Sequence, residues 1–184
     1  MSVGRHLLIF LFATSFFIQS NGQKKYGTQS GEINFTSDAE LELIKASSRQ
    51  VRGLLDPTTR QFAFTVDIQS FKGFNSELQR DHFNEKYLES EKFPKATFSG
   101  KIIEEVDFSK EGTYDVRAKG ELDIHGQKQT RIIKGRITVS KDALKIDVNF
   151  FVPLSDHNIS IPFIVNQKIA SEIEVSFAAR LAPQ

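Results

Sequence analysis

The 184-residue chain has no cysteine and no tryptophan, and no excess of charge of either sign. Without cysteine there are no disulfides, no thiolate metal ligands, no cysteine nucleophile and no acylated N-terminal cysteine, so stability must come from an apolar core and a backbone ladder. Arg5 is the only charged residue among the first 22. Beyond it, 23 Lys+Arg balance 23 Asp+Glu. A neutral chain whose charges alternate in sign has neither the basic face of a nucleic-acid binder nor the basic block that grips an anionic membrane. No apolar run reaches the roughly 20 residues of a spanning helix.

The longest such run, Leu7–Ile18, follows Arg5-His6 and precedes the polar, small-residue stretch Gln19–Gln23. That order is a secretory signal peptide, with Ser20 and Gly22 suiting the positions three and one before a cut. Residues 1–22 are therefore expected to be a leader and 23–184 one domain, free in the periplasm or secreted.

Within that domain apolar and polar residues alternate at period two over long stretches, the mark of strands with one buried face. Phe62, Phe64, Val66 and Ile68 form one phase; Tyr114, Val116, Ala118, Gly120, Leu122 and Ile124 another. Leu144, Ile146, Val148, Phe150 and Val152, then Ile173, Val175, Phe177, Ala179 and Leu181, repeat it. Shorter strands fit Ile33–Phe35, Ala39–Lys45, Gln50–Leu54, Thr97–Val106 and Lys128–Val139, for a total of about eight or nine. Turn residues at Asp56-Pro57-Thr58, Glu111-Gly112, His125-Gly126 and Lys141-Asp142 make the connections short and the neighbours antiparallel. One segment differs: Ser76 with Gln79 has the form of a capping box, and Leu78, His82, Phe83 and Tyr87 fall at helical spacing, predicting about three helical turns over 77–88, ended before Pro94.

Long antiparallel strands with one short α-helix are best served by closure, which removes exposed edges. The expected fold is all-β, an antiparallel barrel of about eight strands, with a β-sandwich as the competitor. Its interior is either filled by side chains or wide enough for one small ligand. An outer-membrane barrel would need an apolar outer band, whereas Asp115, Arg117, Lys119, Glu121 and Asp123 occupy the outward phase of one strand.

No cofactor motif is present, and catalytic residues are expected to be none. His82, His125 and His157 lack the local spacing of metal ligands, so no metal site is expected. Ser155-Asp156-His157 contains the residue types of a hydrolytic triad, but adjacent residues do not assemble that geometry. It reads as a polar loop, and His125 reads as a turn residue.

Two blocks carry a resemblance. Residues 79–98, QRDHFNEKYLESEKFPKATF, place His82-Phe83, Tyr87-Leu88 and Phe93-Pro94 in the order and spacing of the central motif of YceI-like proteins, and 120–128, GELDIHGQK, is similar to that family's Gly-x-Leu-Thr-Ile-x-Gly turn. The resemblance spans roughly 50–180. Arg80-Asp81 abuts His82 instead of standing one residue further off, and Gly31–Leu54 holds no histidine and reads as an abbreviated first hairpin. The resemblance implies a lipocalin-like barrel holding a polyisoprenoid or another long-chain apolar or amphiphilic lipid. Of the 17 Phe, four (Phe10, Phe12, Phe16, Phe17) lie in the leader and thirteen beyond it, several on inward phases. The expected channel lining is Phe62, Phe64, Val66, Phe98, Val116, Leu122, Ile146, Val148, Phe150, Val175 and Phe177, with Arg80 and His82 as candidates for the lipid head group. The expected partner is that lipid, not nucleic acid; a homodimer is left open. The alternative is a structural or interaction barrel with a filled core.

Overall fold

The computed structural model describes residues 25–184, so the expected leader lies outside the described residues. Eight strands close a barrel in chain order, every neighbour antiparallel, β8 returning to β1. They are β1 (Tyr26–Asp38), β2 (Leu43–Leu55), β3 (Gln61–Asp67), β4 (Lys95–Ile102), β5 (Gly112–Ile124), β6 (Gln127–Ser140), β7 (Ala143–Pro153) and β8 (Glu172–Pro183). Strand alternation places Asp115, Arg117, Lys119 and Glu121 outside and exposed. No described helix is long and apolar enough to cross a membrane.

The N-terminal third differs from the sequence expectation. Instead of three short strands over 33–54, two 13-residue strands form a full hairpin, and Ala39–Glu42 is its turn. A bulge hides this from a period-two reading. Ile44, Ala46 and Ser48 are buried on one parity and Val51 and Leu55 on the other, because the register slips between Ile33↔Ser48 and Gly31↔Val51; one extra residue in a strand flips every following side chain. The first hairpin is thus not abbreviated. β4 also stops at Ile102, short of Val106. Beyond it the Glu104 carboxylate accepts the Arg117 N–H at 2.6 Å, taking the place of a ladder carbonyl, and Arg60 Nη1 donates to the carbonyls of Ile103 and Glu104.

The two ends of the barrel are unlike. At one end the connections are the turn 56–60, the segment 103–111 and the turn 141–142, and beneath them Leu55, Ile102, Ile137, Leu144 and Leu181 are at most 2% exposed. This end is a packed floor. The other end carries the β1–β2 turn, the β3–β4 connection with the helix, the β5–β6 turn and the β7–β8 connection. In the β5–β6 turn His125 (φ 53°) and Gly126 (φ 68°) are both left-handed, as a two-residue type I′ hairpin requires.

The expected three-turn helix divides into α1 (Glu77–His82) and a π-helical turn, Phe83–Tyr87. Ser76 Oγ accepts the Gln79 N–H at 3.2 Å, and the Gln79 side chain reaches back to the Asn75 N–H at 3.0 Å, one residue beyond a standard capping box. Glu89, at φ 43°, ends the helical run.

Two seams are short. β2 and β3 pair only over Arg52–Leu55, and β6 and β7 only over Gly135–Ser140. The first gap is covered by the segment before α1: Ser47 and Lys72 exchange backbone bonds at 2.8 and 2.9 Å, and the Ser48 and Ser70 hydroxyls meet at 2.6 Å. Across the second, Arg131 donates to Asp156 Oδ2 at 2.9 Å and to the Phe151 carbonyl at 2.8 Å.

A candidate ligand cavity

Between floor and helix lies a cavity of about 520 Å³. All eleven residues expected in the channel line it. Five of the eight strands supply them, each at the inward parity, and the alternation that hides them from water is what aims them at one axis.

Two groups of aromatic rings shape the space. Midway, Phe62 and Phe98 have centroids 5.0 Å apart and Phe64 and Phe177 5.1 Å apart. Under the helix, Phe83 stacks on Phe35 at 5.4 Å and meets Phe74 at 5.0 Å and Phe71 at 5.8 Å. Such pairs contribute about 0.5–1.5 kcal/mol each beyond area burial. The second group roofs the short β2–β3 seam. Phe71 and Phe74 escaped the sequence reading because they sit in a segment without periodicity; only their density in residues 71–83 hinted at them.

Polar groups collect at the mouth. Glu42, Ser76, Gln79, His82 and Lys168 belong to the lining, and Gln79 Nε2 donates to Glu42 Oε1 at 2.9 Å, tying α1 to the β1–β2 turn. Tyr87 also lines the cavity, and burial pushes its hydroxyl above the ordinary tyrosine range. The two candidate head-group residues do not come together. His82 is at the mouth, whereas Arg80 is exposed and outside the lining. Residues two apart on a helix are separated by about 200° and cannot share a face.

The remaining histidines are structural. His125 does stand in its turn, but it also bridges three segments: Nε2 lies 2.6 Å from Glu89 Oε2, and Nδ1 donates to the His157 carbonyl at 3.1 Å. Phe93 packs edge-on against its ring at 4.7 Å. His157 is wholly buried and donates from Nδ1 to the Gln127 carbonyl at 3.0 Å; its Nε2 has no hydrogen-bond partner. With Asp156 on Arg131, the Ser155-Asp156-His157 segment clasps β6 and forms no triad. Among the described residues no group of three His, Asp or Glu is placed to hold a metal ion.

The model of the YceI-like domain matches residues 16–181. The chain belongs to the YceI-like family. Solved structures agree on the fold. A polyisoprenoid binding domain from Saccharophagus degradans, implicated in plant cell wall breakdown, superposes with a TM-score of 0.74 at 14% identity, covering 87% of this chain and 98% of that one. BcnA of Burkholderia cenocepacia gives 0.66 at 18% identity over 83% and 96%. A YceI protein of Campylobacter jejuni gives 0.53 at 14% over 100% and 93%. No curated protein is significantly similar to the chain. The family therefore supplies the closed eight-stranded barrel with its one helix. The lining of this member is described by its own side chains.

Proposed function

We propose that this YceI-like protein is a non-enzymatic carrier that holds a polyisoprenoid, or another long-chain apolar or amphiphilic lipid, inside its barrel, and that it does so after export, in the periplasm or outside the cell. The observation that carries the reading is the cavity of about 520 Å³, lined chiefly by apolar side chains, floored at one end and with polar groups gathered at its mouth. Pockets of roughly 300–1,000 Å³ with a few convergent polar groups are those that enclose small molecules.

Volume sets the size of the occupant. Apolar cavities of about 150 Å³ take one benzene, roughly 25 Å³ per carbon. On that scale 520 Å³ accepts roughly 20 carbons, or four isoprene units. Each buried methylene contributes about 0.8 kcal/mol, so affinity should climb with chain length until the floor is reached. The polyisoprenoid named for the Saccharophagus domain supports the ligand class, and Arg5 to Gln23 supports export.

The test is extraction of the purified protein with organic solvent, followed by mass spectrometry and by titration with prenols of two to six isoprene units. A co-purified or titratable chain of about 20 carbons is expected. Protein that yields no lipid and takes up no prenol would refute the carrier. Recovery from cells by osmotic shock tests the compartment.

A further inference from the structure

The cavity leads to an apolar rim. Phe163 and Ile164 are each 89% exposed, Leu41 is 62% and Leu78 63% exposed, and they come from three different connections at the open end. These connections are joined. Leu41 N–H donates to the Gln167 carbonyl at 2.8 Å, and Gln79 reaches Glu42 at 2.9 Å, so the β7–β8 loop, the β1–β2 turn and α1 form one edge.

Phe163 and Ile164 occupy a 3₁₀ turn between Pro162 and Asn166, closed by backbone bonds from Val165 N–H to the Pro162 carbonyl at 3.0 Å and from Asn166 N–H to the Phe163 carbonyl at 3.3 Å. A turn that closes its own bonds carries fewer open backbone groups into an apolar phase. Val165 and Ile169, a few residues further along the same loop, already line the cavity. The exposed tip thus adjoins the cavity lining through Val165, the next residue of the same turn.

We propose that this rim docks on a lipid bilayer, with Phe163 and Ile164 inserted among the head groups, so that cargo passes between membrane and cavity without crossing water. The proposal rests on the carrier reading for its purpose, but not for its test. Two observations select the partner. The tip adjoins, through Val165, a cavity whose proposed cargo is itself sparingly soluble, and a two-residue projecting tip fits a penetrable surface. The charges around the tip are mostly acidic, with Asp38, Glu40 and Glu172 beside Phe163 and Ile164 and Lys168 of opposite sign in the cavity lining. An anionic surface is therefore disfavoured, the fitting bilayer is zwitterionic and attachment is hydrophobic instead of coulombic.

The chain contains no tryptophan, which makes the test direct. Phe163→Trp in the full chain supplies a single reporter at the tip, and Thr58→Trp one in the β2–β3 turn at the closed end. Both are mixed with phosphatidylcholine vesicles whose acyl chains carry bromine. The tip reporter should shift to the blue and lose at least half its emission, while the closed-end reporter stays unquenched; Phe163→Ser with Ile164→Ser, at fully exposed positions, should lower vesicle partition by at least about tenfold. An unquenched tip overturns the proposal, as does quenching confined to phosphatidylglycerol vesicles and abolished by salt. So does a dimer in vesicle-free solution that the serine pair dissolves, because the rim would then face a second copy. Prenol uptake in the absence of vesicles, read separately by native mass spectrometry, distinguishes failure of docking from failure of the carrier reading.

Discussion

Ala118 lies on β5 between Ile102 of β4 and Ile133 of β6, at the inward parity of Val116 and Leu122, and its methyl group faces the cavity. Ala118→Phe adds a six-carbon ring there. By the ratio of one benzene to about 150 Å³, the ring removes about that volume and leaves about 370 Å³, enough for roughly 15 carbons. A prenol of four isoprene units would then leave about five carbons unburied, a loss of about 4 kcal/mol, or nearly a thousandfold in Kd. A prenol of two units needs only about 250 Å³ and should bind within about threefold of the original protein. Thermal unfolding with ligand reads the difference. At a hundred times the original Kd, the longer prenol stabilises the original protein by about 2.7 kcal/mol and the variant by about 0.1 kcal/mol. Equal losses for both prenols would show that the ring only perturbs the fold, and an undiminished shift with the longer one would show that the chain does not lie along Ala118. Either refutes the volume argument. Should the unliganded variant melt far below the original, Val148→Phe, two strands away on β7 and also in the cavity lining, repeats the test.

Other consequences concern the scaffold. Gly100 and Gly120 are cross-strand partners, and a Cβ on Gly100 would stand 2.1 Å from the Lys119 carbonyl oxygen, so Gly100→Ala is expected to cost more than about 3 kcal/mol in urea unfolding or to prevent folding. His125→Asn keeps a residue that tolerates positive φ and loses the bridge to Glu89 and His157, which should cost about 1–3 kcal/mol and raise amide exchange in residues 124–127. At the closed end the Thr59 N–H holds Asp56, the Arg117 N–H holds Glu104, and the Ser109 hydroxyl holds Asp107 below the usual carboxylate range. Groups whose folded pKa is depressed stabilise the fold above their unfolded value, about 4, and cease to do so as pH falls through the folded value, so the urea midpoint should drop below about pH 4. Glu104→Gln should make that drop shallower; an unchanged slope would contradict the assignment.

Much of the barrel was legible because burial on one face writes itself into the chain at period two. β5, β7 and β8 alternate without interruption, and the eleven inward residues named from them and from β3 and β4 all meet in one cavity. β1 and β2 were illegible for an equally local reason, since a bulge reverses parity midway. The aromatic roof of Phe71, Phe74 and Phe83 follows no period, because its rings converge from an irregular segment and from a helix. The clasp of His125, Glu89 and His157 joins residues up to 68 apart whose types, read singly, suggest a turn, a solvated acid and a polar loop.

The amino-acid sequence by itself determined the class of the fold: period-two patterning and short polar turns make it all-β and antiparallel, a barrel with a β-sandwich as the competitor, and absent cysteine leaves it held by its core. It could not decide whether that barrel is hollow. Identical inward residues fill the interior or surround a space according to strand tilt, to the closeness of opposing strands and to what covers the ends, and these are properties of the closed assembly. Tertiary structure packed one end with Leu55, Leu144 and Leu181, left about 520 Å³ beneath α1, and brought Phe163 and Ile164 to the lip of the opening.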